Sequence, residues 1–315
     1  MSRHPGAVGP DWFASCLRLA GLLRFQRRAR TGNGYWNKQK EVRVKVYITT
    51  DMEGATCVIS REQTRKGARE YEEARRLLVG DTNAAVQGAL DGGATEVIVA
   101  DMHDGSLNFP LADLHPEARY VVGVPHSSPR FPFLDDSFAG MFMVAYHARS
   151  GTWAGVLEHT MSSVAWQDFI VNGRPVGEVG IDAGLAGACG VPVLLVTGDD
   201  KVCAEARGLL GDIETAVVKW GVNRHRALCL PPAKSQELIR QKAKAAMALA
   251  GKIEPLDFGS PVDIVLKYSR PESADGIRLE PGRVERLDGR TVLYHVDRFV
   301  DFYGGTWAEN KRASQ

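Results

Sequence analysis

VKVYITT at residues 44–50, running directly into DMEG at 51–54, decides how this chain is read. The stretch is rich in β-branched residues and bounded by charge, the composition of a strand. Asp51 then stands at the strand's carboxyl end. In extended chain alternate side chains share a face, so Asp51 and Glu53 can present two carboxylates to one point. Downstream, residues 62–91 carry charged and alanine-rich helical patterns, with a break expected near Gly80-Asp81 and a stop at Asp91-Gly92-Gly93. TEVIVA at 95–100 reads as a second strand and runs into Asp101-Met102-His103. Strand, helix and strand at this spacing imply a parallel pair with a right-handed crossover. In open sheets of that kind the ligand crevice lies beyond the carboxyl ends of the strands. Both polar clusters fall at such ends.

The alternation continues. Apolar runs cover Arg119 to Val124 and GMFMVA at 140–145, the latter leading to Tyr146-His147. A run at Val164 to Val171 precedes a helix over about 176–189, which Gly190 ends. VLLVT at 193–197 is a buried strand followed by Gly198-Asp199-Asp200, where an aspartate is expected to cap the helix over 200–210. A strand over 214–218 follows. Pro231-Pro232 reads as a boundary, with a helix from Ser235 to Ala250, a strand from Val262 to Tyr268 and a hairpin turning at Asp288-Gly289. The expected fold is α/β: a doubly wound, mainly parallel sheet with a second, smaller α/β domain. Three parts are expected: an extension over 1–43, a metal-binding catalytic domain over 44–230 and a smaller domain over 231–315. Within the extension, WFASCLRLAGLLRFQRRAR at 12–30 places its strongest positive charge after the apolar part, the reverse of a secretory signal. It reads as a poorly ordered segment.

Composition narrows the function. The 39 basic and 38 acidic residues leave a net charge of +1, so no nucleic-acid or acidic-membrane partner is expected. No apolar run approaches the ~20 residues of a membrane span. The five cysteines (Cys16, Cys57, Cys189, Cys203 and Cys229) are odd in number and never at C-x-x-C spacing. That argues against a disulfide framework and a thiolate zinc site, and for a reducing cytoplasm.

Among eight histidines, His103, His147 and His159 follow strand-like runs or glycine-bearing turns beside other polar groups. Glu178 opens a helix after Gly173-Arg174-Pro175. Carboxylates and imidazoles together are the ligand mix of zinc, manganese or iron, and the lack of thiolate makes the site catalytic rather than structural in style. Two nearby cations need a shared anion, and a carboxylate such as Asp51 offers two oxygens. Asp101 and Asp104 flank His103, where orienting an imidazole and shaping a turn are both open roles. Glu158 adjoins His159, His115 reads as structural, and Cys57 lacks a paired base for a nucleophile.

DMEG at 51–54, DMHD at 101–104, LHPEA at 114–118, YHAR at 146–149, EHTM at 158–161 and GRPVGEVG at 173–180 occur in that order. Together they resemble the zinc-dependent D-aminopeptidase family, from about residue 44 to the end. The resemblance implies Asp51, Glu53, His103, His147 and Glu178 as metal ligands, with Asp51 bridging two zinc ions per subunit or other divalent ions in their place. It implies His159 as the catalytic histidine. It further implies a dinuclear aminopeptidase that releases the N-terminal residue, a D-amino acid, from short peptides through a metal-bound hydroxide. A homo-oligomer, specifically a homodecamer with inward-facing sites, belongs to the same implication. Two other readings of these residues remain. One is a metal-dependent hydrolase of L-peptides, another amide or a phosphoester. The other is a metal-stabilised peptide-binding protein without catalysis.

Overall fold

A strand covered on both faces must be apolar at nearly every position, and β1 (Lys45–Thr50) is buried from Val46 through Thr50. The structure, a computed structural model, describes residues 43–123 and 129–303. The expected extension over 1–43 therefore lies, save Arg43, outside the described residues. β1 pairs in parallel with β2 (Glu96–Asp101) on one side and β4 (Phe138–Tyr146) on the other. With β3 (Arg119–Val121), β7 (Val193–Asp199), β8 (Glu214–Asn223) and β9 (Arg226–Cys229) they form a seven-stranded sheet of order β3-β2-β1-β4-β7-β8-β9. All its pairings are parallel except β8 with β9. β8 thus runs well beyond the expected 214–218 and closes the edge as a hairpin. The chain reverses direction across the sheet between β1 and β4, the place where open α/β sheets bind ligands.

The helices are α1 (Arg61–Thr64), α2 (Tyr71–Asp91), α3 (Glu178–Ala188), α4 (Asp200–Leu210) and α5 (Pro232–Met247). α2 runs unbroken through Gly80-Asp81, contrary to the expected break. Packing explains this. A Cβ at Gly80 would collide with the Gln236 side chain, and one at Gly88 with the Arg240 backbone, so the small residues let α5 lie close against α2. One sheet face is covered there, with Val46 and Ile48 meeting Val86, Ala89, Ile239 and Ala243. The alternate residue Tyr47 joins the core on the other face, with Met141, Met143, Val179 and Ile181.

A second sheet, of order β11-β12-β10-β5-β6, is antiparallel throughout. It joins β5 (Trp166–Val171) and β6 (Arg174–Pro175) to β10 (Val262–Tyr268), β11 (Val284–Arg286) and β12 (Thr291–Val296). Strands from both sides of residue 231 therefore share one sheet, with Val171 opposite Ile264. α5, just past that point, packs on α2. The expected division into 44–230 and 231–315 is crossed by both contacts, and the described residues from Val44 onward fall in one compact unit. No described helix is long and apolar enough to cross a membrane.

Candidate metal centre

Three adjacent strands, β2, β1 and β4, deliver His103, Asp51 and His147 just past their carboxyl ends. Beyond β1 the chain folds over the end of β4: Asp51 N donates to Val144 O at 3.0 Å and Gly54 N to Ala145 O at 2.8 Å. The approach is so close that a Cβ at Gly54 would strike the Ala145 and Tyr146 backbone, so glycine is required there. Two buried side chains fasten this turn. Asp81 of α2 accepts from Thr56 N at 2.8 Å and Thr56 Oγ1 at 2.9 Å. Lys219 of β8 donates through Nζ to the carbonyls of Glu53, Ala55 and Val58 at 2.5, 2.9 and 2.6 Å.

The side chains converge in two groups. His103 Nδ1 lies 3.0 Å from Asp51 Oδ1 and 3.1 Å from Glu53 Oε2. His147 Nε2 lies 3.1 Å from Asp51 Oδ2 and 3.2 Å from Glu178 Oε1. His159 stacks on His147 with ring centroids 4.0 Å apart, and its Nε2 is 3.6 Å from Glu178 Oε1. Asp51, Glu53 and His103 each offer a ligand atom within 4.8 Å of the others, as do His147, His159 and Glu178. Asp51 turns one oxygen toward each group.

Backbone carbonyls aim the rings. The second nitrogen of each imidazole faces a carbonyl oxygen: His103 Nε2 at Thr64 (2.9 Å), His147 Nδ1 at Ala148 (3.0 Å) and His159 Nδ1 at Leu157 (3.0 Å). A carbonyl can only accept, so each of these nitrogens carries the proton and the inward nitrogen is left to bind a cation or a further proton. Glu178 Oε1 accepts from Met161 N at 2.7 Å. Ala145, Leu157 and Met161, each next to or near a site residue, have φ of +62°, +54° and +57°. Strained non-glycine backbone of this kind gathers at functional sites.

Burial disfavours charge on Asp51, His103, His147 and Glu178, yet attraction to their neighbours prevails at each. Against burial, the His103 and His147 imidazoles hold the Asp51 carboxyl well below its usual range. Against burial, Glu53 and Asp51 lift His103 well above the ordinary imidazole value, and Glu178 and Asp51 do the same for His147. Glu178 is lowered, against burial, by His147 and then His159. Protons on the imidazoles thus balance the carboxylates, a task a divalent cation can take over. The fit to cations has a geometric sign as well. Asp51 Oδ2, Glu53 Oε2 and His147 Nε2 are buried without a hydrogen-bond partner, though charged neighbours stand near. Such atoms are costly unless something they share satisfies them.

The remaining sequence candidates are also placed. Asp101 accepts from Asn108 N at 2.6 Å and His103 N at 3.2 Å, so it shapes the turn bearing His103 without touching its ring. Asp199 caps α4 through Lys201 N and Val202 N and also takes Val156 N at 2.7 Å, tying down the loop before His159. Glu158 pairs with Arg224 at 2.7 Å. His115 reaches Gln87 at 3.1 Å on the outside of α2. Burial foremost pushes the Cys57 thiol up to about 11, which suits an inert residue. Sequence reading missed Thr64, Asp81 and Lys219. Only Lys219 left a trace, as a cation inside the apolar run AVVKW at 216–220.

A cavity of about 670 Å³ opens onto the centre. Asp51, Glu53, His103, His159 and Glu178 line its inner part, and Arg61, Arg65 and Arg224 also line it.

Comparison with known proteins agrees with this architecture. The peptidase M55 family of D-aminopeptidases matches residues 44–307. A D-aminopeptidase of Bacillus subtilis (strain 168) is 33% identical over 260 residues, covering 82% of this chain and 94% of that protein. The solved structure of DppA, a Zn-dependent D-aminopeptidase and self-compartmentalizing protease from Bacillus subtilis, aligns with a TM-score of 0.80 and 32% identity. That alignment covers 86% of this chain and 98% of DppA. The matched span contains every motif from DMEG to GRPVGEVG and every residue of the centre, and the chain belongs to the D-aminopeptidase family.

Proposed function

We propose that this chain is a two-zinc aminopeptidase that removes an N-terminal D-residue from short peptides. The observation that carries the reading is the position of Asp51, with one carboxylate oxygen toward His103 and the other toward His147. Asp51, Glu53 and His103 would hold one ion, and Asp51, His147 and Glu178 the other. Bound there, the ions would polarise the scissile carbonyl and lower the pKa of water. The chain itself supplies the rest. His159 has its Nδ1 committed to Leu157, so Nε2 is the atom that can carry a proton to the leaving amine. The cavity admits a few residues of extended peptide rather than a folded protein.

Assembly into a homo-oligomer, a ring of ten with inward-facing sites in the cytoplasm, is part of the same proposal. Its support is twofold. The relative DppA is described as self-compartmentalizing. In this chain, Trp220 and Leu228 face each other across the β8–β9 hairpin, exposed, with Val222 beside them and Trp153 87% exposed on the adjoining loop.

The test is turnover of D- and L-aminoacyl dipeptides and amides beside a phosphomonoester. Hydrolysis of the D-dipeptides, lost on chelation and restored by zinc, is expected. Phosphoester hydrolysis without amide hydrolysis would overturn the reading.

A further inference from the structure

Outside the metal centre, the cavity wall carries a charge arrangement that metal binding does not use. Three arginines line it: Arg61, Arg65 and Arg224. Arg224 is neutralised by Glu158 at 2.7 Å. Among the described residues the Arg61 guanidinium reaches a hydroxyl, Ser163 Oγ, at 3.5 Å. Neither Arg61 nor Arg65 makes an ion pair among the described residues, although Glu62 and Asp104 also line the cavity. Two exposed arginines thus line the cavity without a carboxylate partner among the described residues.

Their position relative to the centre is fixed by the backbone. Arg65 directly follows Thr64, whose carbonyl lies 2.9 Å from His103 Nε2. Arg61 spans from α1 to the segment that bears His159 and Ser163, and Arg65 lines the same cavity. Two or three residues of extended peptide span about 7–10 Å. A substrate of that length with its amino end at the centre stays within the same cavity that Arg61 and Arg65 line. The guanidinium fork matches a carboxylate in shape and charge.

We propose that Arg61 and Arg65 bind the C-terminal carboxylate of the substrate, so that the enzyme selects unblocked di- and tripeptides. This rests on the aminopeptidase reading above and adds to it a specificity device at the far end of the substrate. A longer chain or a blocked carboxyl end leaves the two cations unpaired.

The experiment compares one D-aminoacyl dipeptide with its C-terminal amide, on the zinc-loaded wild type, on Arg65→Gln and on Arg61→Gln/Arg65→Gln. In the wild type, kcat/KM for the free acid is expected to exceed that for the amide by about tenfold or more. The excess should lie in KM and shrink as salt is raised. In the double variant the ratio should fall to near one, with the single variant between. Both substrates are read on the same protein, so misfolding or lost metal lowers both and leaves the ratio in place. A wild-type ratio near one, or a ratio unchanged in the double variant, overturns the proposal while the aminopeptidase reading stands. No turnover of either substrate by the wild type overturns both.

Discussion

The ammonium of Lys219 lies 2.5 Å from the carbonyl oxygen of Glu53, so a fully buried cation on β8 grips the backbone of a proposed metal ligand. The same group satisfies the carbonyls of Ala55 and Val58. Lys219→Met would leave three acceptors without a donor. Each buried orphan costs about 1–3 kcal/mol, so a loss of roughly 3 kcal/mol or more in unfolding free energy is expected. Denaturant titration measures it, and zinc titration of the folded variant should show weaker binding. Wild-type zinc affinity in a destabilised variant would show that the grip serves the fold alone.

Asp51 and Glu53 differ in reach, and metal content should differ with them. Asp51 touches both imidazole groups, whereas Glu53 approaches only His103. Asp51→Ala is expected to lose both ions and Glu53→Ala at most one. Metal analysis per subunit decides between them, and full occupancy in Asp51→Ala would refute the bridge.

Much of this was legible in sequence because strand ends and polar residues coincide. TTDMEG, TEVIVADMH and MFMVAYH each read as an apolar run that stops on a carboxylate or imidazole, and parallel pairing of β1, β2 and β4 brings those stops together. The unbroken α2 was not legible, since its glycines face α5, where Gly88 meets the backbone of Arg240, more than 150 residues away in the chain. The boundary at Pro231-Pro232 misled for a similar reason. Prolines start α5 there, but α5 packs on α2 upstream and β10 pairs with β5 upstream as well as with β12. Thr64 acts through its backbone carbonyl, which its side chain does not announce.

His159 stands where two roles meet. Its Nε2 falls within the same group as His147 and Glu178, yet at 3.6 Å it is the most distant of the pairs. As a proton carrier it can be removed without disturbing the ions, and His159→Ala should then keep its zinc while kcat falls about 10²–10⁴-fold. Zinc content measured alongside kcat separates the roles. Loss of one ion per subunit would make His159 a ligand.

The exposed apolar group on the β8–β9 hairpin and its neighbouring loop bears on assembly. A charge at Trp153 or Val222 is solvated in a monomer but buried unpaired in an interface, which is strongly unfavourable. Trp153→Glu/Val222→Glu should therefore sediment as a smaller species than the wild type without loss of monomer stability. An unchanged sedimentation coefficient would place the contacts between copies elsewhere.

Asp81 gives stability a pH dependence of known sign. Burial raises its carboxyl to about 6, only partly offset by the Thr56 hydrogen bonds and the Lys219 charge. Between about pH 4 and 6 the folded protein therefore holds a proton that the unfolded chain, with an ordinary carboxyl near 3.9, has released. The folded state binds more protons across that window, so this contribution is greatest below about pH 4 and is lost as pH rises to 6. The full change is about 3 kcal/mol. Asp81→Asn cannot titrate. Unfolding free energies of metal-free wild type minus variant, measured from pH 4 to 7, should fall through that window and level off above it. A flat difference would mean that Asp81 is already ionised at pH 4, and that its two bonds to Thr56 outweigh its burial.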